Sequence, residues 1–362
     1  MRLRTIARRA ALGLVSAALL AVVIVIPIHA HFRRLNEEAV AIHTPNGIEE
    51  AKFFTVGGIK QWVQIRGENR DNPVLLFLHG GPGASSLPIS SGWRTWEKRF
   101  TVVQWDQRGT GRTYRENSVE DTGTLTIERM TADGLELAEQ VRRYMHKDKL
   151  LLVGHSWGSI LGIYMIKQRP ALFSAFVGTG QVVDAQENEL FNYAHVMEQA
   201  RAANNSEATK ALVALGPPPW DKLESLKLER QWGNKLAAHS GDPLNPHADF
   251  TTPQFSLLDY FYWMRSRSFS MQRFGMTLSS LNLRSLGFDF AIPVFFFEGT
   301  ADQFTPIEPA EEYLREIVAP HKEMVRFEGD HHFVVFNRPE AFLKELTTRV
   351  VPWIPEPKAP PR

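Results

Sequence analysis

No cysteine occurs among the 362 residues, which excludes disulfides, thiolate metal sites, iron–sulfur clusters and a cysteine nucleophile. An excess of either charge is also missing. Lys and Arg total 41 against 40 Asp and Glu, and the formal net charge of +1 is too small to draw in nucleic acid. Internal repeats and low-complexity tracts are absent, apart from a short proline-rich tail at 353–362. The chain is 43% hydrophobic and 22% charged, the composition of a globular protein with a sizeable buried core.

One long apolar run is present. Residues 10–30 follow Arg2, Arg4, Arg8 and Arg9 and come close to the roughly 20 residues of a spanning helix. Residues 1–34 therefore read either as a signal-anchor held in the membrane or as a signal peptide cut near Ile28-His29-Ala30. In both readings the arginines before the run outweigh Arg33 and Arg34 after it, which sends the remainder to the extracytoplasmic side, anchored or secreted.

Beyond about residue 51 short apolar runs alternate with turns. Residues 51–56 and 59–66, joined by Gly57-Gly58, predict a β-hairpin. Residues 74–78, 100–105, 150–153, 175–177, 293–297 and 324–327 predict buried strands, being short and bounded by Gly, Pro or charge. Between them lie helical patterns at 126–145, from Ser156 to Pro170, and from Thr305-Pro306, where Thr305 reads as the cap and Pro306 as the first helical residue. This alternation predicts an α/β fold with a mostly parallel sheet covered on both faces. It is carried by residues 35–183 and 288–352. Residues 184–287 lack strand patterns and show helical stretches at 187–203, 220–238 and 256–264, broken by Gly216-Pro217-Pro218-Pro219 and Gly241-Asp242-Pro243. An all-helical insertion of this size reads as a lid.

Gly154-His155-Ser156-Trp157-Gly158 fits G-x-S-x-G and lies between a predicted strand and a predicted helix. That context is what a nucleophilic serine on a strained turn requires, with glycines where side chains would collide with strand or helix. His79-Gly80-Gly81-Pro82-Gly83 leaves the end of another strand, and its bare backbone can approach a bound carbonyl. The N–H groups of Trp157 and Gly81 are the candidate oxyanion donors; Pro82 has none to give. A phosphate-cradling role is disfavoured, since neither this loop nor Gly109-Thr110-Gly111 continues as such loops do. Asp302, in a loop just after a strand, is the candidate acid. Its rival Asp184 heads Asp184-Ala185-Gln186-Glu187, which has the form of a capping box. The base is His331 or His332, between which the residues alone do not choose. No metal or cofactor is implied.

Together these residues resemble the α/β-hydrolase superfamily, and within it the proline iminopeptidase group (prolyl aminopeptidase, peptidase family S33). His79–Gly83 is similar to that group's HGGPG, Trp105-Asp106-Gln107-Arg108-Gly109-Thr110-Gly111 to its WDQRGxG, and Gly154–Gly158 with Ser159 to its GGSWGS, His155 standing where the group has glycine. The resemblance covers roughly residues 50–183 and 288–350. It implies a Ser156-Asp302-His332 triad, the base being the histidine seven residues before Pro339.

The expected function is a serine aminopeptidase acting on short peptides through an acyl-enzyme. Such an enzyme must hold a substrate ammonium, for which Glu189 and Glu187 of the lid are candidates, Glu189 the better because Glu187 belongs to the capping box. An esterase or amide hydrolase for small apolar acyl groups would equally suit the aromatic Tyr260-Phe261-Tyr262-Trp263 stretch. Dehalogenase and epoxide hydrolase chemistry is disfavoured, because the resemblance places an aspartate at Ser156 in those enzymes. A catalytically silent binding module is the remaining alternative.

Overall fold

The computed structural model describes residues 2–239, 249, 252–253 and 255–355, without the side chains of most residues before Val22 or of 237–239 and 275–277. Its elements run α1 (Arg2–Val40), β1 (Ile48–Val56), β2 (Ile59–Gly67), β3 (Val74–Leu78), β4 (Thr101–Asp106), α2 (Gly111–Glu116), α3 (Val119–Thr122), α4 (Ile127–Tyr144), β5 (Leu150–His155), α5 (Trp157–Gln168) and β6 (Phe173–Thr179). Four helices follow, α6 (Ala185–Ala202), α7 (Ser206–Leu215), α8 (Leu223–His239) and α9 (Leu257–Phe274), before β7 (Val294–Gly299), α10 (Ile307–Glu316), β8 (Lys322–Phe327), α11 (Val334–Asn337) and α12 (Pro339–Glu345).

The eight strands form one sheet in the order β1-β2-β4-β3-β5-β6-β7-β8. β1, β2 and β4 pair antiparallel, and every pair from β4 through β8 is parallel. The hairpin turns on Gly57 and Gly58, both at positive φ, so that Val56 faces Ile59. Alternate residues of each central strand feed opposite faces. In β3, Val74, Leu76 and Leu78 join the core under α4, α5 and α10, whereas Leu75 and Phe77 join the one under α11 and α12. On that second face Trp93 stacks between Trp96 and Phe336, and the two indoles donate to the carbonyls of Val335 and Pro339 at 3.0 and 2.8 Å. These bonds pin the segment just after the candidate histidines.

The helices between β6 and β7 have a core of their own, in which Val196, Met197 and Ala200 of α6 meet Ala208 and Leu212 of α7 and Trp232 and Leu236 of α8. Helix α7 has no counterpart in the sequence reading, being only ten residues long and flanked by Gly216. α9 continues ten residues past the expected Met264. The expected break at Gly241-Asp242-Pro243 and the end of the proline-rich tail lie outside the described residues.

The apolar run expected to meet the membrane falls in α1, and many of its side chains lie outside the described residues. Among the described residues no helix is long and apolar enough to cross a membrane. From Val22 to Ile28 the aliphatic side chains are half exposed or more. Among the described side chains of α1, only the stripe of His29, Arg33, Asn36 and Val40 turns inward, where Arg33 Nε donates to the Pro253 carbonyl at 2.9 Å.

Candidate active site

The candidate residues gather at the C-terminal ends of the parallel strands, where α/β sheets place ligands. Ser156 sits between β5 and α5 at φ 54°, ψ −121°, a conformation that a non-glycine residue adopts only under constraint. Its N–H donates to the Thr179 carbonyl at 2.9 Å. The flanking glycines permit the turn. A Cβ on Gly154 would collide with the Gly158 carbonyl, and one on Gly158 with the carbonyl of Leu78 at the end of β3.

The glycine loop lies against the serine, since a Cβ on Gly80 would come 2.9 Å from His155 Nδ1 and 3.1 Å from Ser156 Cβ. Gly81 has φ 116°, which a side chain would resist. Trp157 begins α5, so its N–H has no acceptor within the helix. Gln107, from the loop after β4, ties the two halves together. Its amide donates to the His79 carbonyl at 3.2 Å and its Oε1 accepts the Trp157 indole at 3.0 Å. Sequence reasoning assigned Gln107 no role. Neighbouring Arg108 is structural: it reaches Asp133 at 2.6 Å and the carbonyls of Gly57 and Thr122 at 2.7 and 3.1 Å.

Asp302 and His332 meet at 2.8 Å between Oδ2 and Nδ1. A proton on Nδ1 directed at the carboxylate leaves the lone pair on Nε2. His331, the other candidate, has Nδ1 at 2.7 Å from the Ala301 carbonyl. Asp302 also accepts the N–H groups of Phe304 and Thr305 at 2.8 and 2.9 Å and the Thr305 hydroxyl at 2.7 Å. Burial pushes its pKa up, but the His332 charge and these hydrogen bonds more than offset that and hold it below the ordinary aspartate value. Thr305 thus serves Asp302 and does not cap α10, which starts at Ile307 with Pro306 in the cap position.

The site is joined to the serine turn through His155. Its ring centroid lies 4.8 Å from that of His332, and its Nε2 is 3.0 Å from the His332 carbonyl. Burial, and then repulsion by His332, lower the His155 pKa to about 3; burial lowers that of His79 to about 4. Both are therefore neutral members of the scaffold. Beneath Asp302 the carboxyl of Glu298 accepts the N–H groups of Gly180 and Gln181. Burial, with Asp302 as a second cause, raises its pKa well above the ordinary value.

Asp184 caps α6 as expected, accepting the N–H groups of Gln186 and Glu187 at 2.8 and 3.1 Å. The proposed ammonium holders are separated. Glu187 pairs with Arg284 at 2.9 Å on the side of α10, half-buried. Glu189 turns inward and pairs with Arg230 of α8 at 2.7 Å, and Arg230 in turn pairs with buried Glu229 at 2.8 Å. The Arg230 guanidinium stands 5.8 Å from the Phe304 ring, whose centroid is 5.2 Å from that of His332. The sequence reading missed Glu229 and Arg230 because the pairing joins helices 41 residues apart.

The family model of the alpha/beta hydrolase fold matches residues 73–339. The chain belongs to that family. It is similar to a probable aminopeptidase of Bacillus subtilis (strain 168), 29% identical over 302 residues covering 82% of this chain and 94% of that protein. It is also similar to the proline iminopeptidase of Neisseria gonorrhoeae, 33% identical over 128 residues covering 35% of this chain and 39% of that protein. A solved structure with the same fold is a proline iminopeptidase-related protein from Thermus thermophilus, with TM-score 0.56, 20% identity and coverage of 86% of this chain and 100% of that one. This alpha/beta hydrolase therefore has relatives named as aminopeptidases and proline iminopeptidases.

Proposed function

We propose that this alpha/beta hydrolase is a serine aminopeptidase that removes the N-terminal residue of short peptides through an acyl-enzyme. Ser156 Oγ attacks the carbonyl carbon of the first residue while His332 Nε2 takes its proton. Asp302 holds the imidazolium through Nδ1, and the N–H groups of Gly81 and Trp157 receive the oxyanion. His332 then returns the proton to the leaving amine, and a water hydrolyses the ester. The aminopeptidase-named relatives support this reading.

The observation that carries the preference for a free amine is the pair of carboxylates from the helical layer, Glu189 and Glu229, held by Arg230, whose guanidinium stands across the Phe304 ring from His332. A desolvated carboxylate pair binds an ammonium through short, charge-assisted hydrogen bonds. The test is release of the chromophore from amino-acyl amides, proline among them, with and without an acetylated amine. Ser156→Ala serves as the control. Loss of the acetylated substrates supports an aminopeptidase. Serine-dependent cleavage of short-chain esters alone makes the protein an esterase, the reading that the exposed Phe261 and half-buried Tyr262 and Trp263 of α9 favour.

We further propose that residues 1–34 direct the catalytic part across a membrane, as an anchor or as a cleaved signal. The support is the arginine asymmetry around the apolar run and the exposure of Val22, Val23, Ile24, Val25 and Ile26 on every side of α1. Recovery of the protein in the membrane fraction after alkaline wash supports the anchor; a shortened protein released without membrane supports the cleaved signal.

A further inference from the structure

Three ionisable side chains of the helical layer meet, Glu229 buried and Glu189 and Arg230 partly exposed. Arg230 gives one nitrogen to Glu229 Oε2 at 2.8 Å and the other to Glu189 Oε1 at 2.7 Å. Each carboxylate keeps its second oxygen, and both Glu189 Oε2 and Glu229 Oε1 are buried with no hydrogen-bond partner. So is Oδ1 of fully buried Asn192, one helical turn along α6 from Glu189. Three unpartnered buried acceptors are costly, and the cost is removed only by a donor. An ammonium supplies three donors and one positive charge. Two carboxylates and one guanidinium sum to a single negative charge, which one ammonium neutralises.

We propose that Arg230 is a specificity-determining and positioning residue of the amine pocket, taking one oxygen and one charge from the Glu189–Glu229 pair so that the pocket accepts a single ammonium. This rests on the aminopeptidase reading. Arg230 never touches the reacting atoms; it acts through the two carboxylates. The charged groups facing it are Glu189 from α6, Glu229 from its own helix and Asp302 from the loop after β7, with His332 behind the Phe304 ring. Burial raises the pKa of both glutamates, and the guanidinium is the leading opposing influence on each. Without that cation two desolvated like charges adjoin, and one carboxyl takes up a proton at higher pH.

The experiment compares pH profiles of kcat/KM for the full-length wild type, Arg230→Met and Arg230→Lys, using a free-amine amino-acyl amide and its N-acetylated ester. The expected result is an acid limb for the free-amine substrate displaced upward by roughly 1–3 pH units in Arg230→Met, and restored at least in part in Arg230→Lys. The limb for the acetylated ester stays at its wild-type pH. A mere loosening of the helical layer would lower both rates and displace neither limb, and that outcome overturns the inference. Should Arg230→Met not fold, Glu229→Gln provides the test. It leaves a neutral Glu189–Arg230 pair, so the preference for free amine over acetylated substrate should fall at least tenfold, roughly the loss of one charge-assisted bond, and an unchanged preference overturns the inference. A wild type indifferent to acetylation removes the aminopeptidase reading and the inference with it. A wild type that requires the amine, with an unmoved Arg230→Met profile, removes the inference alone.

Discussion

Asn192 donates its side-chain amide to the Phe304 carbonyl at 2.8 Å, which ties helix α6 to the loop that carries Asp302. Asn188 makes the same bond at 2.8 Å, and the Phe304 N–H donates to Asp302 at 2.8 Å. The helical layer therefore helps hold Asp302 in place. Replacing Asn188 and Asn192 together with alanine should lower kcat about tenfold or more, because small misplacements of a catalytic group are expensive. The loss should appear with acetylated as well as free-amine substrates, since both rely on Asp302, and be larger for the free-amine ones, because Asn192 Oδ1 is among the buried acceptors beside Glu189. Rate measurements on the two substrates check this; a loss confined to one of them contradicts it.

Thr305 touches both Asp302, at 2.7 Å, and His332, at 3.0 Å. Thr305→Val preserves shape and removes the hydroxyl. A hydrogen bond to a buried carboxylate contributes about 1.5–3 kcal/mol, so kcat/KM should drop by roughly one to two orders of magnitude with far-ultraviolet dichroism unchanged. Asp302→Asn should cost more, several orders of magnitude, by favouring the wrong imidazole tautomer. Full activity in either variant, measured by steady-state kinetics, would contradict the assigned roles.

Glu298 makes stability depend on pH in a stated direction. Its folded pKa is raised, so between the unfolded value of ~4.3 and the folded one the native state holds a proton that the unfolded chain lacks. Stability is then lost as pH rises through that window. Buried His79 and His155, with pKa values lowered to about 4 and about 3, act oppositely, because only the unfolded chain takes up their protons as pH falls below ~6.5. Subtracting wild type from Glu298→Gln cancels the histidines. The urea midpoint of the variant should gain on the wild type as pH rises above the unfolded value. A constant difference would show that Glu298 has the same protonation state in the folded and unfolded chain.

Asp133 is fully buried and receives Arg108 at 2.6 Å, Arg129 at 2.6 Å and the Gln61 amide at 2.8 Å. Asp133→Ala leaves the buried Arg108 charge uncompensated, which should destabilise the fold by about 3–5 kcal/mol. Equilibrium unfolding measures it, and a change below about 1 kcal/mol would contradict the structural reading of Arg108.

The strands were legible because the central ones carry short, mainly apolar runs, unbroken in Val74–Leu78, bounded by residues that end them. The serine turn was legible because its glycines are enforced by close backbone approach. Choosing His332 over His331 needed family resemblance, since adjacent residues of one loop differ only in which partner they reach, Asp302 or the Ala301 carbonyl. Thr305 was misread as a helix cap because its hydroxyl has a choice between local backbone and Asp302, and tertiary structure makes that choice. Glu229 and Arg230 carry no signal in the sequence; only the packing of α8 on α6 brings Arg230 against Glu189.

The most direct test of the account is the kcat/KM ratio of a free-amine amino-acyl amide to its N-acetylated form, measured on the full-length protein beside Ser156→Ala. A ratio of at least one hundred, abolished with all turnover in Ser156→Ala, is the predicted result; it corresponds to about 2.7 kcal/mol of amine recognition. Equal cleavage of the two forms, or turnover that survives Ser156→Ala, would contradict it.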